Sequence, residues 1–174
     1  MEVKSLVSLP DIRAMLDVAQ CSPRGIFVEV GVYQGGTAYF LAQLARMQSR
    51  ALWLFDTFAG MPESTAGLDK HPVGDFADCS LEAVAALIPD ALIFPGMFPG
   101  TLPERVPPVG FAHIDCDNYE SVKACIERLA PVMAPGGIMY FDDYGCLEGA
   151  IRAVDELCPG RIVLANLKAM VIFP

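Results

Sequence analysis

Asp115 and Asp117 stand one residue apart in the stretch GFAHIDCDNYES, and Asp142 and Asp143 are adjacent in IMYFDDYG. Each pair follows an apolar run. A carboxylate delivered by a buried segment needs a positive partner or a proton, because an unpaired buried charge is costly. Four such acids at the ends of neighbouring strands would raise one another's pKa values unless a cation compensated them. Hard oxygen donors in this number suit Mg²⁺ or a similar divalent ion. A cation makes a nearby hydroxyl more acidic, so that a neighbouring carboxylate can take its proton. If the chain stays extended from Asp115 to Asp117, both side chains point one way with Cys116 opposite, and one can hold metal while the other faces a hydroxyl. Helix capping is the competing account, since Asp117 and Asn118 precede YESVKACIERL and Asp143 precedes another turn.

A second constellation lies in VEVGVYQGGTA. The dinucleotide fingerprint GxGxxG would need glycine where Tyr33 stands, so a pyrophosphate is not the expected ligand. Gly31 and Gly35 let the chain turn and a ligand lie against it. Glu29, at the end of the preceding apolar run, can orient a ligand ammonium group. Asp56 ends the next apolar run, 25 residues after Gly31, where an acid accepts hydrogen bonds from ribose hydroxyls. An ammonium site beside a ribose site describes a nucleoside that carries an amino acid, S-adenosylmethionine. A plain strand-to-helix turn is the structural alternative.

The elements that must position these residues follow from the punctuation by Gly and Pro. PDIRAMLDVAQ has helical spacing, with Pro10 or Asp11 as its start. GIFVEVG reads as a buried strand, GGTAYFLAQLARMQ as a helix and ALWLFDTF as a strand. LEAVAALIP (helix), ALIFPGMF (strand), GFAHIDCD (strand) and YESVKACIERLAPVM (helix) continue the series. GGIMYFDDY (strand), EGAIRAVDELC (helix) and RIVLANLKAMVIFP, a pair of strands, complete it. This alternation calls for an α/β fold with a mostly parallel sheet and helices on both faces. Such sheets bind ligands beyond the carboxyl ends of their strands, where all the acids above fall. The polar segment from Ala59 to Ser80, with His71 and Asp75, is long for a connection; a lid and a mobile connector are equally good readings.

Composition narrows the partners. The net charge is −9 with 12 scattered Lys and Arg, which argues against nucleic acid. No apolar run approaches a membrane span, and the N-terminus lacks the pattern of a signal peptide, so a cytoplasmic location is expected. Length and 53% hydrophobic content suit one domain over residues 1–174. The six cysteines show no CxxC spacing and there are two histidines, which disfavours a zinc site. Cys116 as a nucleophile would have only His113 nearby as partner and is the weaker reading.

Five ordered blocks, FVEVGVYQGGTA, LFDTFAGMPES, FPGMFPGTLPE, AHIDCDNYESV and LAPVMAPGGIMYFDDYG, resemble the macrocin O-methyltransferase family, which methylates sugar hydroxyls. The resemblance covers roughly residues 26 to 158. It implies a Rossmann-like class I methyltransferase fold with an antiparallel C-terminal strand, using S-adenosylmethionine and Mg²⁺ on a small hydroxylated acceptor, a sugar or glycosylated natural product. By similarity Asp115, Asp142 and Asp143 would hold the metal and Asp117 would be the general base. Glu29, Gly31, Tyr33, Gly35, Asp56 and Thr57 would belong to the cofactor site, with Gly96 and Met97 near the adenine. The part before the first strand is shorter than in antibiotic-sugar members, so a short acceptor roof is expected, which a second subunit in a homo-oligomer could complete. Two other classes remain in view. The DCD triplet also fits the DxD of metal-dependent glycosyltransferases, which leaves Glu29, Gly31 and Gly35 unexplained. A non-catalytic nucleoside-binding protein would bind cofactor without methylating anything.

Overall fold

The computed structural model describes residues 3–165 and 168–174. In chain order the elements are α1 (Leu9–Cys21), β1 (Ile26–Val30), α2 (Gly36–Met47), β2 (Leu52–Asp56), α3 (Leu81–Leu87) and β3 (Leu92–Pro95). There follow β4 (Val109–Ile114), α4 (Tyr119–Leu129), β5 (Met133–Phe141), α5 (Glu148–Leu157), β6 (Ile162–Ala165) and β7 (Lys168–Ile172). The helix expected to start at Pro10 or Asp11 begins slightly earlier, because the Ser8 hydroxyl accepts the Asp11 amide as an N-cap.

The seven strands form one sheet in the order β3-β2-β1-β4-β5-β7-β6. β1 to β5 pair in parallel, and β7 runs antiparallel between β5 and β6. The chain moves outward from β1 through β2 to β3, then returns to the other side of β1 for β4. That reversal leaves a crevice above the carboxyl ends of β1 and β4.

Alternation along the strands divides the core in two. Val28, Phe55, Ala112, Ile114, Met139 and Phe141 face α4 and α5, packing on Val122, Cys125, Ile126, Ala153 and Val154. Phe27, Leu54, Phe111, Ile138 and Tyr140 face the other way, against Met15 and Ala19 of α1, Ala38 and Leu41 of α2 and Val84 of α3. Both faces are covered, which is why β1 and β4 are buried from end to end and read as continuous apolar runs. Each large apolar side chain in these layers contributes about 1.5–3 kcal/mol by leaving water. Two polar residues interrupt the second layer at matching register, Glu29 on β1 and His113 on β4.

Candidate active site

A cavity of about 410 Å³ opens at the carboxyl ends of the central strands. Glu29, Gly31, Tyr33, Asp56, Thr57, Gly96 and Met97 line it, and so do Asp115, Asp117, Asp142 and Asp143. Gly35 lies just behind the wall as the left-handed N-cap of α2.

The acids converge because β4 and β5 are parallel neighbours, with Ile114 paired to Phe141, so that the residues after each strand emerge side by side. Oxygens of Asp115, Asp117 and Asp143 lie within 4.8 Å of one another. The extended path considered for Asp115 to Asp117 is not what brings them together. β4 ends at Ile114, and the Asn118 amide donates to the Cys116 carbonyl at 2.6 Å around Asp117, whose φ is +59°. A three-residue turn of that hand is rare and strained. It is held at the point where Asp117 joins the other acids, the kind of place where strain accompanies function. Burial, then the Asp143 charge, pushes Asp115 well above the usual carboxylate range. Burial also raises Asp117. Asp143 is pushed up to about 8 by burial and by the charges of Asp117 and Asp142. Its Oδ2 is buried without a partner. Three crowded carboxylates, one with an orphaned oxygen and with the Asp142 charge acting on all of them, are a fitting set for a divalent cation.

Asp142 differs from the other three. Its Oδ2 accepts from Lys168 Nζ at 2.6 Å, and its Oδ1 lies 3.7 Å from His113 Nε2. The latter is too long for a hydrogen bond, so the attraction there is between charges. On its other side His113 Nδ1 meets Glu29 Oε1 at 3.0 Å. Lys168 on β7, Asp142 just after β5, His113 on β4 and Glu29 on β1 thus form a chain of alternating charge. Burial opposes the imidazolium, but the flanking carboxylates outweigh it and hold His113 well above its ordinary value. Burial likewise opposes the Asp142 charge, and His113 and Lys168 together keep that carboxyl below its ordinary value. Burial raises Glu29, whose Oε2 has no partner. Neither His113 in this role nor Lys168 stood out by local spacing. The matching register of Glu29 and His113 is the signal that could have found the first.

The glycine turn is shaped by protein contacts as much as by room for a ligand. A Cβ on Gly31, at φ +88°, would lie 1.8 Å from the Asp115 carbonyl oxygen, so only glycine lets the end of β4 close on this turn. Tyr33 takes a left-handed φ of +50°, keeping the backbone shape of a glycine turn with a side chain present. Asp56 Oδ2 accepts the amides of Val32 and Tyr33 at 2.6 and 2.8 Å, and Oδ1 accepts that of Phe58 at 2.7 Å. The carboxylate clamps the turns after β1 and β2 together. Thr57 closes the second turn, its hydroxyl donating to the Gly60 carbonyl at 2.8 Å.

The segment after Thr57 contributes Gly60, Met61, Pro62 and Phe76 to the cavity wall. It is tied down at both sides. Tyr33 donates its hydroxyl to Asp78 at 2.8 Å, and Asp69 Oδ1 accepts the Tyr119 amide, the first of α4, at 2.8 Å. Asn118, the N-cap position, makes no side-chain cap of its own, so Asp69 does for α4 what Asp117 or Asn118 was considered to do. His71 bonds Asp75 at 3.2 Å within the segment. The N-terminal residues Lys4 to Ser8 also line the cavity, packed so closely that a Cβ on Gly36 would lie 2.2 Å from the Lys4 carbonyl oxygen.

The sequence matches the family described as Macrocin-O-methyltransferase (TylF) across residues 9–170. The chain belongs to that family. It is 35% identical to the 8-demethyl-8-(2,3-dimethoxy-alpha-L-rhamnosyl)-tetracenomycin-C 4'-O-methyltransferase of Streptomyces olivaceus, over 69% of this chain and 53% of that one. It is 28% identical to the mycinamicin III 3''-O-methyltransferase of Micromonospora griseorubida, over 76% of this chain and 59% of that one. The chain therefore spans little more than half the length of these curated relatives. In fold it is similar to the O-methyltransferase NovP, with a TM-score of 0.76 and 23% identity over 95% of this chain and 78% of that one. Calicheamicin methyltransferase CalS11 gives a TM-score of 0.74 and 22% identity over 94% and 77%. The family's Rossmann-like architecture, mostly parallel with a reversed strand near the C-terminus, is the one seen here. No described helix is long and apolar enough to cross a membrane.

Proposed function

We propose that this chain is an S-adenosylmethionine-dependent O-methyltransferase acting on a hydroxyl of a small molecule, a sugar or glycosylated natural product, with a divalent cation such as Mg²⁺ assisting deprotonation. The observation that carries the reading is that one cavity is lined both by the glycine turn with its two acids and by Asp115, Asp117, Asp142 and Asp143. Both curated relatives are named O-methyltransferases, and the rhamnosyl group in the name of one supports the acceptor class.

When bound, the cofactor supplies a methyl group on a sulfonium and the cation supplies positive charge beside the acceptor oxygen. The chain's own residues do the rest. Glu29, fixed through Oε1 by His113, presents a second oxygen to a ligand ammonium. Asp56 already accepts three amides, which leaves about one of a carboxylate's roughly four acceptor sites for a ribose hydroxyl. Gly31, Tyr33 and Thr57 would shape the floor, with Gly35 supporting the turn from behind as the N-cap of α2, while Gly96 and Met97 would border the adenine side. Asp115, Asp142 and Asp143 would hold the cation. Asp117, on its strained turn, would take the acceptor proton, and alignment of the freed oxygen with the methyl accounts for much of the rate.

Calorimetric titration with S-adenosylhomocysteine, with and without Mg²⁺, tests the reading. Micromolar binding, followed by methylation of hydroxylated sugars that is lost in Asp117→Asn while binding persists, is the expected result. No binding in either condition would sink it and turn attention to nucleotide sugars.

A further inference from the structure

Of the four acids at the cavity floor, Asp142 alone among the described residues carries an internal cation. Lys168 is the first residue of β7, and because that strand is antiparallel its start lies at the carboxyl end of β5. From there Nζ reaches Asp142 Oδ2 at 2.6 Å. Side-chain exposures of 12% and 9% keep water from screening the pair. Asp115, Asp117 and Asp143 are grouped beside it without an ammonium of their own.

We infer that Lys168 is a built-in competitor for the divalent cation, holding the Asp142 carboxylate that the cation would otherwise share and thereby setting the affinity of the acid cluster. The inference rests on the cation reading above. Its physical basis is the sign of the charge. A fixed ammonium beside a cation site repels the incoming ion and occupies one donor, so removing the ammonium tightens cation binding. A lysine that merely held the fold would have the opposite effect, since its loss would loosen the cluster and weaken binding. Lys168 also explains how Asp142 tolerates burial when no metal is bound, because the ammonium neutralises it.

The test is calorimetric titration of the metal-stripped protein with Mn²⁺ alone, comparing wild type with Lys168→Gln and Lys168→Arg. Glutamine keeps a donor toward Asp142 and removes the charge; arginine keeps the charge. Lys168→Gln is expected to bind Mn²⁺ on the order of tenfold more tightly, and Lys168→Arg within about threefold of wild type. Wild-type binding with unchanged or weaker binding in Lys168→Gln overturns the inference and leaves the cation reading standing. Mn²⁺ binding to neither protein overturns the cation reading and this inference with it. Should Lys168→Gln fold only in the presence of Mn²⁺, seen by circular dichroism, the ion has replaced the ammonium and the inference is supported. Failure to fold at any Mn²⁺ concentration overturns it.

Discussion

His113 Nδ1 lies 3.0 Å from Glu29 Oε1, and the two residues are direct register partners on β4 and β1, buried to 0% and 1% exposure. An imidazole and a carboxylate facing each other in the apolar layer under α1 and α2 are tolerable only as a pair. Replacing His113 with phenylalanine leaves the Glu29 charge alone, and removing one partner of a buried pair costs about 3–5 kcal/mol. Urea unfolding of His113→Phe should show that loss, and the Glu29→Gln, His113→Phe double variant should recover part of it. A single variant as stable as wild type would mean that Glu29 is protonated and the pair carries no charge.

Stability of the metal-free protein should depend on pH through Asp143. Its ordinary value near 3.8 is raised to about 8 in the folded protein by burial and the neighbouring acids. Below about pH 4 folded and unfolded chains both hold the proton, and the full contribution is present. As pH rises toward about 8 the unfolded chain releases the proton while the folded chain retains it, so stability falls across that window. Denaturant midpoints at pH 5, 6.5 and 8 should decline for wild type more steeply than for Asp143→Asn. Parallel slopes in the two proteins would show that Asp143 titrates normally.

Gly31→Ala should be among the most damaging small substitutions in the chain. The new methyl would overlap the Asp115 carbonyl oxygen, a backbone atom that cannot swing aside, at a φ that side chains disfavour. A loss of roughly 3 kcal/mol or more is expected in thermal or denaturant unfolding. Gly35→Ala meets only the Leu87 and Val84 side chains, at 3.3 Å and beyond, and should cost less despite a similar φ. Equal losses at the two positions would assign the effect to φ alone.

Asp69→Ala removes the cap of α4 and one tether of the segment that lines the cavity. A lost side-chain cap costs about 1 kcal/mol. Limited proteolysis between residues 60 and 75 should quicken at the same time, because the segment and the helix share this bond. Unchanged cleavage would show that the Tyr33–Asp78 contact secures the segment by itself.

Much of this was readable in the chain. The strand and helix alternation follows from apolar runs set between Gly and Pro, and the acids announce themselves because Asp115, Asp117, Asp142 and Asp143 sit where buried runs end. What local pattern could not carry is contact between distant residues. Asp69 caps a helix 50 positions later. Asp117 turns back on itself when an extended path reads equally well. Lys168 looks like one ordinary residue in a final pair of strands, and its partner is fixed only by the insertion of β7 between β5 and β6.

The reversal of β7 also separates inheritance from adjustment. The acids and the glycine turn are set at the ends of parallel strands, and their residues are bound to one another through register, clamps and close backbone approach. The opposing ammonium comes from a strand that shares none of those duties. A lineage could therefore retune the charge around its acid cluster by changing position 168 while the acids stay as they are, and variation among relatives should concentrate on the cationic side of that balance.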